Sequence, residues 1–273
     1  VPKIRVNPDG TLGESNDVRC GNIEEKMGIH GSSTCTLNFG DEGNCVGYLV
    51  GEENKGIVYM FHMMNGARIN VGLQGSALGA VAYQHALQYA KERIQGVDVR
   101  NMKDPNAPRV PIIDHPDVRR MLLFGKSVTE ATRALLLKTA YYADLAEVTQ
   151  DDAEREKAAG YVELFTPLCK SYSTDMGFEV CVQAMQVLGG YGYCKEYPVE
   201  QYARDSKIAS IYEGTNGIQA MDLLGRKLAM NGGMLYMNFL TDLNAFVEEN
   251  RSHETLGKFV EALAAAKDLI ADV

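Results

Sequence analysis

The chain has 273 residues, of which 45% are apolar and 23% charged, and its formal net charge is −9. This length suffices for one large hydrophobic core or two smaller ones, at about 100–200 residues per domain. The acidic total, without a block of Lys and Arg, excludes general nucleic-acid binding, because neutralising phosphates requires a basic surface. No run of about 18 apolar residues is present, so the sequence predicts no membrane span.

The six cysteines have neither the CxxC spacing nor the Cys/His spacing that is typical of zinc sites. Six thiols in a chain of this length do not form a disulfide scaffold, so we expect a reducing compartment such as the cytoplasm. The sequence therefore predicts no metal site. The first residue is Val1 and not Met, which indicates either a processed N-terminus or a piece of a longer chain.

The N-terminal part, residues 1–57, has the pattern of strands and turns. Asn7, Pro8, Asp9 and Gly10 form a strong turn signal, and many glycines follow. Residues 34–39 alternate between polar and apolar side chains, as a half-buried strand does.

The rest of the chain reads as helix almost to its end. A first helix is predicted over 68–94, with small residues that predict tight helix–helix packing more strongly than contact with a ligand: Gly72, Gly75, Ser76 and Gly79. A polar loop over 95–114 follows. A second helix is expected to begin at the capping sequence Asp114–Asp117, which includes an early proline.

A third helix is predicted over 152–188, with a possible bend at Pro167 and a stop at Gly189 and Gly190. Two shorter helices are expected over 199–210 and 215–230, and another amphipathic stretch begins at residue 234. Several long helices with short connections favour an antiparallel bundle. The fold class that we predict is α+β and mainly α.

Two features of the helical part are candidates for chemistry. Gly189, Gly190 and Gly192 end a helix, and so lack the strand-to-helix context of a Rossmann loop, although exposed N–H groups at a helix end can still contact a dinucleotide. Glu213 follows an apolar residue and precedes Gly214, which would let a substrate pass close to the backbone. It is either a general base whose carboxylate is desolvated or a first-turn acid favoured by a helix dipole, and the residues alone favour the second.

Four segments, in this order, resemble the acyl-CoA dehydrogenase family over about residues 20–231. They are Glu24–Thr34, Gly51–Gly56, Tyr89–Gly96 and Ile211–Gln219, in which Tyr212–Asn216 (YEGTN) is the most specific part. The segment Asp114–Arg120 and the long loop before it are similar to the large bacterial branch of 3-methylmercaptopropionyl-CoA dehydrogenase.

This resemblance implies an architecture for the chain. Residues 1–57 would be the remainder of a middle β-domain, residues 58–231 a C-terminal four-helix bundle domain, and residues 232–273 the start of a helical extension. The family places FAD between the β-domain and the bundle. We therefore expect the chain to be the C-terminal part of a longer enzyme, and to be inactive when isolated.

The resemblance also implies roles for residues near the end of the bundle. Glu213 falls on the catalytic base, which removes the α-proton of an acyl-CoA while the β-hydride passes to FAD. One branch of the family has its base immediately before the arginine of the first bundle helix, a place that Ala67 occupies here, so Glu213 is the only candidate. The residues implied in substrate binding are Asn65, Arg68, Tyr212 and Gly214.

The cofactor-binding residues that the resemblance implies are Arg93, Gln95, Gln186, Gly189, Gly190 and Thr215. In the family, all of these except Thr215 serve the flavin of the neighbouring subunit, so we expect a homo-oligomer. The expected partners are an acyl-CoA substrate and an electron-transfer flavoprotein. Two alternatives stay open at this point: an acyl-CoA oxidase, and a catalytically silent helical assembly module.

Overall fold

The computed structural model of the protein describes residues 1–271, without the side chains of residues 61 and 62. It is mainly α, as predicted. Within that range the chain forms seven helices and three small antiparallel hairpins, two before the first helix and one between the first and second helices. Among the same residues, none of the helices combines the length and apolar character that crossing a membrane requires. The six cysteines are all free thiols.

The N-terminal part consists of two hairpins whose side chains are mostly exposed. Strands β1 (Ile4–Val6) and β2 (Leu12–Ser15) pair with each other, and β3 (Val18–Ile23) pairs with β4 (Cys35–Phe39). The predicted strand over 34–39 is therefore confirmed.

The turn at residues 27–30 joins this part to the helices. The backbone N–H of Ile29 donates to the carboxylate of Asp205 at 2.6 Å, and Arg204 donates to the carbonyl of Met27 at 2.8 Å. Arg204 also pairs with Glu200 at 2.7 Å. These charged residues thus hold the turn against a helix.

Three long helices form the body of the molecule: α1 (Gly56–Glu92), α2 (Pro116–Val148) and α3 (Asp152–Leu188). Helix α4 (Val199–Lys207) packs against α1 and α3. All four helices contribute small or apolar residues to one buried core, for example Ala86, Leu122, Ala184 and Val199. The predicted bundle is therefore present.

Glycines bring α1 and α3 into close contact. A Cβ atom on Gly75 would lie 2.7 Å from the Cα of Thr174, and one on Gly79 would lie 3.1 Å from the Cα of Gly177. Because the residue numbers in these contacts increase together along both helices, α1 and α3 run parallel. Helix–helix packing, the explanation that the sequence favoured for the small residues of α1, is thus confirmed.

The limits of the helices were predicted unevenly. Helix α3 spans the predicted residues 152–188, since the side chain of Asp151 caps its first N–H groups and Gly189 ends it with φ +60°. Helix α1, predicted over 68–94, begins twelve residues earlier, at Gly56. The described apolar side chains of its first turns, such as Ile57 and Met63, are exposed, so these turns show no buried stripe.

The loop predicted over 95–114 was wrong in part. It contains a hairpin of β5 (Ile94–Val97) and β6 (Arg109–Pro111), and Ile94 therefore belongs to a strand. The predicted cap of α2 also differs, because His115 occupies the cap position without a side-chain hydrogen bond to the helix. Its Nε2 contacts the carbonyl oxygen of Gln95 at 2.7 Å instead.

After α4 the chain forms short turns and then three further helices. A 3-10 turn (Ile208–Ser210) leads to α5 (Asn216–Asp222) and a π-helical turn (Leu223–Lys227). The chain continues with α6 (Met234–Asn250) and α7 (Gly257–Ala271). The hydroxyl of Tyr161 on α3 donates to Asp242 on α6 at 2.6 Å, which ties α6 to the bundle.

Candidate active site

Glu213 lies in a tight turn between the Ile208–Ser210 turn and α5. Its φ is +55° and that of Gly214 is +79°, so two successive residues have left-handed backbones. This conformation is unfavourable for a residue with a side chain, by about 1–3 kcal/mol, and it persists only where the surroundings impose it. Gly214 is needed as glycine, because a Cβ there would lie 2.9 Å from Nε2 of Gln219.

Hydrogen bonds involving α1 and α5 hold this turn. The hydroxyl of Tyr212 donates to the amide oxygen of Gln74 on α1. Gln219 is fully buried, and its Nε2 lies 3.3 Å from the carbonyl oxygens of both Glu213 and Gly214. The hydroxyl of Thr215 caps α5 by accepting from the N–H of Ile218 at 3.3 Å. The turn is therefore fixed by contacts that do not involve the Glu213 carboxylate.

The Glu213 side chain itself is exposed. The apolar junction that the sequence predicted around it is thus not formed by the residues described here, and the desolvation expected from burial is absent from this part of the chain. Its backbone N–H donates no hydrogen bond to the atoms that the structure describes. Residue 213 therefore offers an exposed carboxylate, and its backbone N–H is not used in a hydrogen bond of the turn.

Arg68 lies close to this turn and is buried. One of its guanidinium nitrogens (NH2) would lie 3.6 Å from a Cβ on Gly214, and another (NH1) lies 3.0 Å from the carboxylate of Asp222. Only 7% of Arg68 is exposed, and its Nε has no hydrogen-bond partner among the described residues. Arg68 therefore forms a buried salt bridge in the interior of α1.

Asp222 is the centre of a cluster of three cations. It contacts Arg68, lies 2.7 Å from Nε of Arg226 and lies 3.8 Å from Nζ of Lys227. Burial of Asp222 opposes its ionisation, but the hydrogen bond from Arg226 and the neighbouring positive charges outweigh it, so its pKa lies below the ordinary value. The carboxylate is therefore held in its charged form.

A cavity of about 350 Å³ opens beside this cluster. Its lining includes Asn65, Arg68, Glu163 and Asp222, and the amide of Asn65 donates to the carboxylate of Glu163. Lys227, fully buried, also lies 3.0 Å from Oε2 of Glu163. The structure thus brings Asn65, Arg68 and Gly214, three of the predicted substrate-binding residues, into one polar region beside Glu213.

The predicted cofactor residues fall into two groups. Arg93 and Gln95 follow the end of α1, where the guanidinium of Arg93 lies 3.3 Å from Oε1 of Gln95 and 5.4 Å above the ring of Tyr191. Gly189 and Gly190 are exposed at the end of α3, and a Cβ on either would meet no other atom within 4 Å. Gln186, one turn earlier on α3, is also exposed.

Thr215 forms the second group, next to Glu213. Arg68 lies on α1, and Arg93 immediately follows its C-terminal end. The 25 positions between them correspond to about 37 Å at 1.5 Å per residue. Because α3 runs parallel to α1, Gln186, Gly189 and Gly190 lie at the same distant end as Arg93. The structure therefore separates Thr215 from the other predicted cofactor residues by most of the length of the bundle.

Sequence reasoning missed the charged and polar residues that complete the site: Glu163, Lys170, Gln219, Asp222 and Lys227. Lys170 directly follows Cys169 on the part of α3 that packs against Gly72 of α1, and both residues are fully buried. Among the side chains that the structure describes, no group of three or more Cys, His, Asp and Glu could hold a metal ion.

Comparison with known proteins assigns the family. The profile described as "Acyl-CoA dehydrogenase, C-terminal domain" matches residues 54–228, more than half of the chain. The chain is 42% identical over 278 residues to a butyryl-CoA dehydrogenase of Syntrophomonas wolfei, covering 99% of this chain and 45% of that protein. It is 44% identical to the 3-methylmercaptopropionyl-CoA dehydrogenase of Ruegeria pomeroyi, over 88% of this chain and 40% of that protein.

Solved structures agree with this match. The butyryl-CoA dehydrogenase of Megasphaera elsdenii superposes with a TM-score of 0.62 at 29% identity, covering 82% of this chain and 54% of that one. An acyl-CoA dehydrogenase of Bacillus anthracis, complexed with FAD, gives a TM-score of 0.65 at 25% identity, over 89% of this chain and 41% of that one. The chain therefore belongs to the acyl-CoA dehydrogenase family, and it spans less than half of the length of the two curated relatives named above.

Proposed function

We propose that this chain is the C-terminal part of a flavin-dependent acyl-CoA dehydrogenase, in which Glu213 is the catalytic base. The observation that carries the proposal is the left-handed turn at Glu213 and Gly214, which contacts with α1 and α5 hold while its carboxylate stays exposed. Strained backbones of this kind are concentrated at active sites. The family to which the chain belongs supplies the reaction class.

In the proposed reaction, the Glu213 carboxylate accepts the α-proton of the acyl thioester. The backbone N–H of the same residue donates to the thioester oxygen, where negative charge develops as the proton leaves. Gly214 has no side chain that could obstruct the substrate. Asn65, Arg68 and Tyr212 complete the substrate side of the site, and Asp222 keeps the Arg68 guanidinium in place.

The residues at the far end of the bundle fit a cofactor that contains a diphosphate. Arg93 offers a guanidinium, Gln95 and Gln186 offer amides, and the open backbone at Gly189 and Gly190 allows close approach. When bound, FAD supplies the acceptor for the hydride that leaves the β-carbon. We propose that Arg93, Gln95, Gln186, Gly189 and Gly190 serve the FAD of a neighbouring subunit, and that Thr215 serves the FAD beside its own Glu213.

The substrate and partners follow from relatives. The names of the two curated relatives refer to short, linear acyl groups, and we propose a linear acyl-CoA substrate here. We also propose an electron-transfer flavoprotein as the electron acceptor, as the family resemblance implies. The inactivity expected of the isolated 273-residue chain stays a prediction. A visible spectrum after incubation with FAD and gel filtration would show whether the chain retains the flavin, and bleaching by an acyl-CoA would show whether it reacts.

The full-length Glu213→Gln enzyme tests the assignment of the base. We expect dye reduction with an acyl-CoA to fall by at least about 10²–10⁴-fold, the contribution typical of a general base, while FAD content and acyl-CoA binding are unchanged. Glu130→Gln is a matched control, because Glu130 is exposed on α2 and forms a surface ion pair with Lys126. Activity of Glu213→Gln within a few-fold of the control would contradict the proposal.

A further inference from the structure

Lys170 is a buried lysine whose ammonium contacts the segment that carries Glu213. It lies on α3 with no exposed surface, and its Nζ lies 2.8 Å from Oδ1 of Asn216. Asn216 is the first residue of α5 and stands three positions after Glu213. A lysine of the long bundle helix therefore contacts the first residue of the helix that follows the Glu213 turn.

Asn216 is bound to α3 through its amide nitrogen as well. Its Nδ2 lies 3.2 Å from the carbonyl oxygen of Ser171 and 3.1 Å from the hydroxyl of Thr174. Thr174 in turn donates to the carbonyl of Lys170 at 2.8 Å. The single side chain of Asn216 thus attaches the start of α5 to one turn of α3, and Lys170 provides its charged contact.

The burial of this ammonium is not explained by an ion pair. Lys170 has no salt bridge to a carboxylate of residues 1–271, whereas Lys227, the other fully buried lysine, pairs with Glu163 at 3.0 Å. A buried charge without a counter-ion is costly and is retained only where something compensates for the cost. Burial of the Lys170 ammonium is therefore expected to cost stability, which suggests that its contact with Asn216 serves a function.

Charged groups from three elements face Lys170. Burial lowers its pKa from the ordinary 10.5 to about 8, and the positive charge of Arg68 on α1 acts in the same direction. Asp175 on α3 and Glu213 in the turn oppose this shift. Lys170 is therefore still a cation at neutral pH, and it makes a charge-assisted hydrogen bond to Asn216, which is stronger than a neutral one.

We propose that Lys170 is a positioning residue that, through Asn216, holds the Glu213 turn in the geometry required for removal of the α-proton. This inference rests on the proposed function. In the step concerned, the α-proton passes from the substrate carbon to an oxygen of Glu213, and the electron pair of the broken C–H bond moves toward the thioester carbonyl. Displacement of the accepting oxygen by about 1 Å can slow such a step up to about 10²-fold.

The test uses the full-length enzyme and two single variants, Lys170→Met and Asn216→Ala. Methionine keeps an unbranched chain of similar length in the buried site, so that Lys170→Met removes the charged contact with little change in packing. We expect kcat to fall about 10- to 100-fold in Lys170→Met, with KM changed by less than about twofold. The deuterium isotope effect on kcat, measured with an α-deuterated acyl-CoA, should rise, because proton removal becomes more rate-limiting.

A double-mutant cycle tests whether Lys170 acts through Asn216. If it does, the Lys170→Met/Asn216→Ala enzyme should be no slower than the slower single variant. Losses that multiply would overturn the proposal, as would an isotope effect and kcat of Lys170→Met close to those of the wild type. Thr139→Val is the packing control, since Thr139 is buried and contacts Cys169, beside Lys170, but not the turn; we expect it to leave the isotope effect unchanged.

Failure of the proposed function is seen separately from failure of this inference. An active Glu213→Gln enzyme would contradict the role of Glu213 and, with it, the role of Lys170. An inactive Glu213→Gln enzyme beside a Lys170→Met enzyme with wild-type kcat and isotope effect would contradict the role of Lys170 alone.

Discussion

Arg68 and Asp222 form a buried ion pair that joins the first bundle helix to the end of α5, with 3.0 Å between NH1 and Oδ2. The two residues are 154 positions apart in sequence. Because Arg68 also lies beside Gly214, the pair connects the cavity lined by Asn65 and Glu163 to the turn that carries Glu213. Loss of the Arg68–Asp222 ion pair should therefore affect both the stability of the fold and the geometry of the candidate site.

Asp222→Ala should strongly destabilise the protein. The substitution leaves Arg68 and Lys227 buried without this carboxylate, and breaking a buried pair on one side typically costs about 3–5 kcal/mol. Urea unfolding followed by circular dichroism measures the loss. Glu130→Ala, which breaks the exposed pair with Lys126, should cost less than about 1 kcal/mol. Similar losses in the two variants would show that the buried cluster contributes no more than a surface pair.

Gly75→Ala should disrupt the contact of α1 with α3. The added Cβ would lie 2.7 Å from the Cα of Thr174 and 2.9 Å from the carbonyl oxygen of Ser173, and neither backbone atom can move without shifting the helix. We expect the free energy of unfolding to fall by about 1–3 kcal/mol or more.

Gly66→Ala is the matched control on the same helix, because a Cβ there meets no atom within 4 Å. This change should be neutral or stabilising by up to about 1 kcal/mol, since alanine is the better helix former. Thermal unfolding of both variants separates the two effects. A stable Gly75→Ala protein would mean that the helices can move apart at little cost.

The buried ammonium of Lys170 should make stability depend on pH. Its pKa is lowered to about 8 in the folded protein and is near 10.5 when the chain unfolds, so between these values the unfolded chain binds more protons. Stability from this group therefore rises with pH over that window.

Lys170→Met should lose this rise. The measurement is urea unfolding of wild type and variant at about pH 7 and about pH 10. The free energy of unfolding of the wild type should rise relative to that of the variant at the higher pH. Lys227, whose pKa burial also lowers, is present in both proteins and cancels in the comparison. A difference that does not change with pH would contradict the shifted pKa of Lys170.

Local signals made much of the fold predictable. Helix α3 has a capping Asp151 and a terminal Gly189, and both act within a few residues of the limits that they define. The β5–β6 hairpin was missed because its strands have only four and three residues, too few to display alternation. The early start of α1 was missed for a related reason, since its first turns bury no continuous face.

The site was less predictable from local pattern. The residue pattern made Glu213 a candidate base but favoured an ordinary first-turn acid, and only the family resemblance favoured the base. The residues that hold the turn come from distant parts of the chain: Lys170 is 46 positions from Asn216, and Gln74 is 138 positions from Tyr212. Such pairs depend on how the helices pack, which the periodicity of a single helix does not specify.

Mixed oligomers should test whether Arg93 serves a neighbouring subunit. Arg93 and Glu213 lie at opposite ends of the bundle, so a site that uses both takes them from different chains if the cofactor lies at an interface. Arg93→Ala should weaken FAD binding about 10- to 100-fold, as expected for loss of one charge-assisted contact of about 1.5–3 kcal/mol. Glu213→Gln should bind FAD but not turn over. Each full-length variant alone should therefore be nearly inactive at an FAD concentration that saturates only the wild-type enzyme.

Subunits of the two variants, mixed and reassembled, should regain activity. A hybrid dimer has one site with the intact Glu213 of one chain and the intact Arg93 of the other, and random reassembly of a symmetric dimer gives about a quarter of the wild-type activity. Glu213→Gln mixed with the double variant Arg93→Ala/Glu213→Gln contains no intact site and should stay inactive. If Arg93 served the flavin of its own chain, both sites of the first hybrid would be defective and no activity would return. A flavin-loaded monomer seen by light scattering would contradict the shared site directly.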